Sequence, residues 1–230
     1  GAGELAKLHE FVSTGRSLFA LFNFYSLQRP TGLEKFLADY DFEIGLNQVS
    51  DSKNEQSGQS GLLLVDDLGN HPVTKPILGS RLQMLLPRSV GFPETEDNEL
   101  ARSSDAGQAV GQIRDNKGTV EKEGKIPLIA AKLHANDGQP PARIVVTGDS
   151  LFLGNSAIEA GANRDFAGLA VNWLLEHEHL LAIAPRDVTE YRINLTRAEM
   201  TSITWLLLLV LPGGTLGLGL LWWRRQIKRS

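Results

Sequence analysis

The residues best placed to do chemistry lie in the segment GDSLFLGN (148–155), which follows Ile-Val-Val (144–146), the clearest β-strand pattern in the chain. Side chains that follow a strand in an open α/β fold lie at the carboxyl edge of its sheet, where such folds bind ligands. Ligand binding is therefore predicted for three side chains: Asp149, Ser150 and Asn155. The competing interpretation is that these groups only hydrogen-bond the backbone of a long turn.

A serine hydrolase is the alternative that the same segment raises. Ser150 could be a nucleophile and Asp149 could orient a histidine base, because triads are recognised by geometry and not by chain order. The candidate bases are His134, His177 and His179. The Gly-x-Ser-x-Gly spacing of hydrolase elbows is absent, however, so no catalytic residue is assigned and the favoured interpretation is not an enzyme.

A third interpretation is a small-ligand sensor at the same edge of the sheet. Asn23 would add a further contact there, because it follows the first predicted strand and parallel strands end at one edge. Sugars suit such a polar edge, so the ligand would be a glycan or another small polar molecule.

Neither a metal site nor a cofactor is predicted. His177 and His179 are two positions apart, which places them on different sides of a helix. The acidic residues at 66–67 and 94–99 lack the Asp-x-Asp-x-Asp-Gly spacing of a calcium loop, and the chain contains no cysteine. The Gly-x4-Gly-Lys-Ser/Thr phosphate-binding loop is also absent, so the chain is not itself an ATPase.

The elements that would position these residues alternate along the chain. Hydrophobic spacing predicts helices at 3–14, 31–40 and 166–176, and strands at 17–24, 42–49, 82–86, 126–133, 144–146 and 180–183, while 62–65 is a brief apolar run. The helix–strand–helix–strand order at the start predicts an α/β fold with a mostly parallel, helix-flanked sheet. Residues 92–124 are charged, glycine-rich and weakly patterned, which predicts an irregular excursion, either solvent-facing hairpins or a loop, with little contribution to the core.

The C-terminal segment predicts a membrane anchor. Residues 203–223 contain no charged side chain and, at about 1.5 Å per residue, extend about 30 Å, the thickness of the hydrocarbon core. Tryptophans lie near both ends and basic residues follow at once, which orients the tail towards the cytoplasm. We predict one pass through the cytoplasmic (inner) membrane, with an extracytoplasmic or periplasmic domain at 1–200, a transmembrane helix at 201–223 and a basic cytoplasmic tail at 224–230.

Three residues of this span are predicted to pack against another membrane helix: Pro212, Gly213 and Gly217. Gly213-x3-Gly217 is a small-xxx-small pattern, which lets two helix backbones approach closely. A proline within the span is tolerable because neighbouring helices can satisfy the backbone group that it leaves without a partner.

The charge distribution argues against nucleic acid as a partner. The chain has a net charge of −4, but four basic residues lie after position 223, and residues 1–223 carry 19 basic and 27 acidic side chains. A domain with this acidic balance repels a polyphosphate backbone.

Several segments together resemble one family, the GldG-like auxiliary proteins associated with ABC transporters of gliding bacteria. The resemblance rests on ARIVVTGDSLFLGN, on the following ANRDFAGLAVNWLLEHEHLLAIAPRD and on ITWLLLLVLPGG with its LWWRRQ exit. The opening segments ELAKLHEFVSTGRSLFALFNF and GLEKFLADYDFEIGLNQVSD fit the family's start, whereas residues 52–140 match loosely. The motif residues that correspond are Gly148, Asp149, Ser150, Asn155, Asn172, Trp173 and Leu174.

The resemblance implies both a fold and a function. The fold would be related to class I glutamine-amidotransferase-like domains without the cysteine nucleophile. The function would be that of a non-enzymatic, membrane-anchored accessory subunit, whose ectodomain binds a partner protein or a substrate. Its partners would be an ABC permease and a separate ATPase subunit. The family has more N-terminal sequence, so we expect residue 1 to be an internal position of a longer protein.

Overall fold

The protein is described by a computed structural model over residues 2–29, 31–93, 98–114, 117–136, 138–176 and 195–227. The helices are α1 (Ala2–Ser13), α2 (Leu33–Ala38), α3 (Asn163–Leu174), α4 (Arg197–Trp205) and α5 (Leu211–Ile227). The strands are β1 (Leu18–Leu21), β2 (Glu43–Ile44), β3 (Asn47–Asp51), β4 (Leu62–Val65), β5 (Asp67–Leu68), β6 (Leu82–Leu85), β7 (Val90–Gly91), β8 (Glu99–Arg102), β9 (Gly107–Arg114), β10 (Lys117–Glu123), β11 (Pro127–Asn136) and β12 (Gln139–Thr147). The predicted α/β class is confirmed, while the strand predicted at 180–183, His177, His179 and the acidic residues at 94–97 lie outside the described residues.

The largest sheet has five strands in the order β1-β12-β11-β8-β5. Its β1 and β12 run parallel, from Leu18 opposite Ile144 to Leu21 opposite Thr147. The other neighbours in this sheet are antiparallel, as are the strand pairs of the three smaller sheets. The prediction of a mostly parallel sheet is therefore wrong for the described strands.

The reason lies in the strands that follow α2 and in the hairpin that precedes α3. The strand predicted at 42–49 is two strands in two different sheets, because β2 pairs with β7 and β3 pairs with β9. Strands β11 and β12 are neighbours along the chain and pair through a tight connection, with Asn136 opposite Gln139. Helix–strand alternation indicates a parallel sheet only when each strand returns to the same sheet by a crossover connection. The two strands of a hairpin need no crossover, and they pair antiparallel.

Helices cover both faces of the central sheet. Strand β12 alternates between them: Val145 joins the cluster that contains Phe166 and Trp173 of α3, whereas Ile144 and Val146 join the cluster that contains residues of α1 and α2. Burial on both faces explains why Ile-Val-Val reads as a continuous apolar run and not as an alternation. The result is a three-layer arrangement that fixes the end of β12 in the centre of the domain.

The stretch at 92–124 contains strands, as the hairpin alternative allowed, but its expected small contribution to the core is wrong. Strand β9 pairs with β3 on one side and with β10 on the other, and β8 lies between β11 and β5 in the central sheet. Leu100, Ala101 and Ala109 are fully buried in the core, so this stretch contributes to it. The core contribution escaped detection because the buried face of β9 carries only the small residues alanine and glycine.

One helix long and apolar enough to cross a membrane runs from Arg197 to Arg224, and none of its apolar window is buried. Leu206–Val210 forms a π-helical segment between α4 and α5. Pro212 explains this widening, because proline lacks the N–H that would bond four residues back and its ring crowds that carbonyl. The predicted C-terminal apolar helix is thus confirmed, and it begins four residues before the predicted position 201.

Candidate functional site

The carboxyl ends of β1 and β12 meet at one edge of the central sheet. The N–H of Phe22 donates to the carbonyl of Thr147 (2.9 Å), which continues the strand pairing one residue beyond β1. Asn23 follows, and its Nδ2 donates a hydrogen bond to Oγ of Ser150 at 2.9 Å. The two segments that the sequence placed at this edge are therefore in direct contact.

Asp149 is completely buried at this edge and binds backbone. Its Oδ2 accepts a hydrogen bond from the N–H of Leu85 (2.8 Å), and its Oδ1 accepts one from the N–H of Leu151 (2.8 Å). Burial raises the pKa of Asp149 above its usual range, although hydrogen bonds from Leu85, Leu151 and Phe152 act in the opposite direction. The carboxyl group therefore ties the 148–155 turn to β6.

The three predicted ligand-binding residues lie in different environments. Ser150 is half-buried and bonded to Asn23, whereas Asn155 is exposed and its side chain hydrogen-bonds no other described residue. Asp149, Ser150 and Asn155 share no side-chain hydrogen bond with one another within the described ranges. The structure brings the first two together by sequence adjacency alone, and ligand binding by the three stays a prediction.

Gly148 is required by a close approach of two backbone segments. Its N–H donates to the carbonyl of Leu128 (2.9 Å), and its own carbonyl accepts from the N–H of Arg88 (2.9 Å). A Cβ atom at position 148 would lie 1.9 Å from the carbonyl oxygen of Arg88, far inside van der Waals contact. The glycine of the Gly-Asp-Ser motif is thus explained by packing.

Asn163, which the sequence analysis did not single out, holds the far side of the same turn. Its Oδ1 accepts from the N–H of Gln83 (2.9 Å), and its Nδ2 lies 3.0–3.1 Å from the carbonyl oxygens of Gln83, Phe152 and Ala157. The residue is fully buried at the start of α3. Asparagine at a helix start commonly bonds nearby backbone, and this was the signal available in the sequence.

Arg88 is a second buried polar residue that the sequence analysis missed. It is fully buried, pairs with Glu34 (Nη1–Oε1, 3.0 Å) and donates to Oγ of Ser26 (2.7 Å) and to the carbonyl of Gly45 (2.8 Å). Its guanidinium also lies 4.8 Å from the centre of the Phe22 ring. The available signal was a lone arginine in the apolar run LLPRSVGF (85–92). Arg88 fixes the loop after β1, and with it Asn23.

The hydrolase alternative finds no base at this edge in the part of the chain that the structure describes. The ring of His134 packs against Tyr40 with 4.9 Å between centroids, and none of the described imidazoles hydrogen-bonds Ser150. Both oxygens of Asp149 accept backbone N–H groups, and none of the described imidazoles is hydrogen-bonded to them. The other candidate bases, His177 and His179, lie outside the described residues.

The apolar helix joins the domain through a capping box at the start of α4. Oγ1 of Thr196 accepts from the N–H of Glu199 (3.2 Å), and Oε2 of Glu199 accepts from the N–H of Thr196 (2.9 Å). The same carboxylate receives two hydrogen bonds from the guanidinium of Arg81, at 2.6 and 3.2 Å. One glutamate therefore both caps the helix and connects it to the segment that leads into β6.

Backbone contacts reinforce this junction. The N–H of Arg197 donates to the carbonyl of Glu55 (3.0 Å), and the N–H of Ser57 donates to the carbonyl of Leu195 (3.1 Å). Nη1 of Arg197 also lies 3.5 Å from Oε2 of Glu55. Paired backbone and side-chain contacts on both sides of Thr196 set the direction in which the helix leaves the domain.

The glycine face of α5 is uncovered within the part of the chain that the structure describes. A Cβ atom built at Gly213 or at Gly217 would have no atom within 4 Å beyond the helix's own backbone. Pro212 lies next to this face and accepts a hydrogen bond at its carbonyl from Oγ1 of Thr215 (2.8 Å). The three predicted packing residues are therefore close together on the helix and contact no other described element.

Comparison with known proteins gives a fold relationship. No family model matches the chain, and no curated protein matches it either. Among solved structures, the mmIFT52 N-terminal domain is similar, with a TM-score of 0.56 and 11% sequence identity over 83% of this chain and 74% of that chain. At this identity the likeness shows that the two chains share a fold, and it carries no function.

Proposed function

We propose that this chain is a non-enzymatic, membrane-anchored accessory subunit of an ABC-type transport system. The observation that carries the proposal is the Arg197–Arg224 helix, which has no charged residue between Glu199 and Arg224, is unburied over its apolar window and is attached to a folded α/β domain. A helix of this kind exposes apolar surface that water does not solvate, so lipid or other apolar helices must cover it. The absence of a phosphate-binding loop from the sequence assigns ATP hydrolysis to a separate chain.

The proposal includes an orientation and a fold relationship. The basic residues after position 223 favour a cytoplasmic tail, which leaves the α/β domain on the extracytoplasmic side of the inner membrane. Helices on both faces of the central sheet and the absence of cysteine from the sequence support a relationship to class I glutamine-amidotransferase-like folds without the nucleophile. In this view the domain binds a partner protein or a substrate and performs no chemistry of its own.

The glycine face of α5 is the expected contact with the permease. Gly213 and Gly217 lie one turn apart with open space above them, and small residues at this spacing let a second helix approach closely. Because none of the described residues covers the glycines, a larger side chain at position 217 would not disturb the domain. It would separate the two helices.

Affinity purification from native membranes tests the proposal. The wild-type chain is expected to recover a multi-span permease and an ATPase, and Gly217→Leu is expected to reduce that recovery several-fold. Gly219→Leu is the matched control, since it makes the same change on another side of α5, where a Cβ also meets no atom within 4 Å. Recovery of this chain alone in repeated purifications would contradict the proposed function. Equal effects of the two variants would show that the glycine face is not the contact with the permease.

A further inference from the structure

A groove lies where the apolar helix leaves the domain. Its volume is about 270 Å³. Ser57 of the domain forms one wall, and two turns of the helix with the following π-helical segment form the other. The apolar lining residues are Met200, Trp205 and Leu208, and the hydroxyl-bearing ones are Ser57, Thr201 and Thr204. Arg197 supplies the charge, and no other charged residue of the described chain lines the groove.

The polar and apolar parts of the groove are arranged along the helix axis. Arg197 lies at the domain end, and Trp205 and Leu208 lie two to three turns further along. At about 1.5 Å per residue, the 28 residues from Arg197 to Arg224 extend about 42 Å, which is the thickness of a bilayer including both headgroup layers. The two arginines therefore fall in opposite headgroup layers, and Leu208 falls in the hydrocarbon.

The lining groups suit a phosphate with an attached acyl chain. The side chain of Arg197 is 56% exposed, and among the described residues its one ion contact is with Glu55 at 3.5 Å, so other guanidinium donors remain for a phosphate oxygen. The hydroxyls of Thr201 and Thr204 donate to the carbonyls of Arg197 and Met200 (2.8 Å each), which leaves their oxygens as acceptors for a headgroup hydroxyl. The apolar residues beyond them can contact the first carbons of the acyl chain.

We propose that this groove is a phospholipid-binding site, in which Arg197 binds the headgroup phosphate of a lipid from the leaflet next to the domain. The inference rests on the proposed membrane insertion and adds a ligand to it. A volume below the roughly 300–1,000 Å³ of pockets that enclose drug-sized ligands fits the part of a lipid nearest its headgroup. The bound lipid would fill the space between the domain and the bilayer and hold the domain at a fixed height.

Native mass spectrometry of the full chain in detergent micelles, with phosphatidylglycerol added, tests this inference. The wild-type chain is expected to retain one lipid, and Arg197→Gln is expected to lower its occupancy about tenfold, as the loss of a charge-assisted contact would. Thr204→Phe leaves the charge unchanged and fills the apolar half of the groove, so it should lower occupancy as well. Arg224→Gln is the matched control, because it removes one charge from the other end of the same helix and should leave occupancy unchanged.

The outcomes distinguish a failure of the proposed lipid site from a failure of the proposed membrane anchor. Equal losses in the Arg197→Gln and Arg224→Gln variants, or undiminished occupancy in Thr204→Phe, would show binding to charge in general and overturn the inference. Cross-linking of Thr204→Cys to a second protein's helix in native membranes, without retained lipid, would overturn it too. Carbonate extraction of the wild-type chain is the separate check: a chain that stays in the membrane and retains no lipid contradicts the groove alone, whereas an extracted chain contradicts the proposed anchor.

Discussion

The interior of the α/β domain and its junction with the apolar helix use the same kind of contact in different surroundings. In the interior, Asp149 is fully buried and both of its oxygens accept backbone N–H groups. At the junction, Glu199 also accepts a backbone N–H, but 37% of its side chain is exposed, and so is 36% of that of its partner Arg81. One carboxylate is enclosed by the core and the other is solvated.

This difference in burial determines what each contact can contribute. A buried acceptor that is removed leaves its donors without partners and costs their full desolvation, whereas an exposed ion pair contributes little to stability. We therefore expect the interior contacts to determine whether the domain folds. The junction contacts would determine the direction in which the helix points.

The largest effect is expected from Asp149→Ala. The change leaves the N–H groups of Leu85 and Leu151 without an acceptor and should lower the free energy of unfolding by about 3 kcal/mol. Asp149→Asn is the control, because it keeps one oxygen acceptor in the same place and should be less damaging. Thermal unfolding of the full chain in detergent micelles measures both. Equal stabilities of the alanine and asparagine variants would contradict the backbone-binding role.

A slightly smaller loss is expected from Gly148→Ala. The added Cβ would meet the Arg88 carbonyl oxygen at 1.9 Å, and the resulting backbone shift should cost about 2 kcal/mol. Gly168→Ala is the matched control in α3, where a Cβ meets no atom within 4 Å and alanine favours the helix by up to about 1 kcal/mol. The two variants should therefore change the melting temperature in opposite directions, and a stabilising effect at position 148 would refute the close approach.

The interior also predicts a pH dependence through His71. Burial, with a smaller contribution from the charge of Arg143, lowers the pKa of His71 to about 4, while its Nδ1 accepts from the N–H of Val73 (3.2 Å). A histidine whose pKa is lower in the folded state than in the unfolded chain stabilises the fold fully above about pH 6.5. That contribution is lost as the pH falls from 6.5 towards 4, because only the unfolded chain binds the proton.

Between pH 7 and pH 5 we expect His71 to cost the wild-type chain about 1.5 kcal/mol of unfolding free energy. His71→Asn keeps an acceptor for Val73 and removes the titration, so the difference between the two proteins isolates this residue from Asp149. Urea unfolding at a series of pH values makes the comparison. If the free energy of unfolding depends on pH in the same way in both proteins, the pKa of His71 is not lowered by folding and the prediction is wrong.

The same contrast explains which features the sequence predicted. The Ile-Val-Val strand and the apolar helix were found because a long or fully buried apolar run signals its environment locally. Strand β9 was missed because its partners, β3 and β10, determine its burial, and β3 lies more than fifty residues away along the chain. Arg88 and Asn163 were missed for a related reason, since each forms hydrogen bonds with segments that are distant along the chain. The position of Asp149 and Ser150 at the end of a strand identified them as candidate site residues. That position could not show which groups they bond.

The smallest effect on stability, and the most informative effect on geometry, is expected from Arg81→Gln at the junction. Removing this partly exposed ion pair with Glu199 should change the free energy of unfolding by less than about 1 kcal/mol. The helix would keep its cap on Thr196 and the contact between Arg197 and Glu55, but it would lose the ion pair between Glu199 and Arg81, so its direction should vary more.

Because the sequence has no cysteine, spin labels at Leu133→Cys and Leu216→Cys, both exposed positions, report this direction without further changes. Pulsed electron–electron double resonance in nanodiscs should give a broader distribution of label-to-label distances in Arg81→Gln than in the wild type. Arg164→Gln removes an exposed ion pair with Glu159 in which no residue of the helix takes part, so it should leave the distribution unchanged. A narrow distribution in Arg81→Gln would mean that the remaining contacts around Thr196 are enough to orient the helix. The interior and the junction would then differ only in how deeply their contacts are buried.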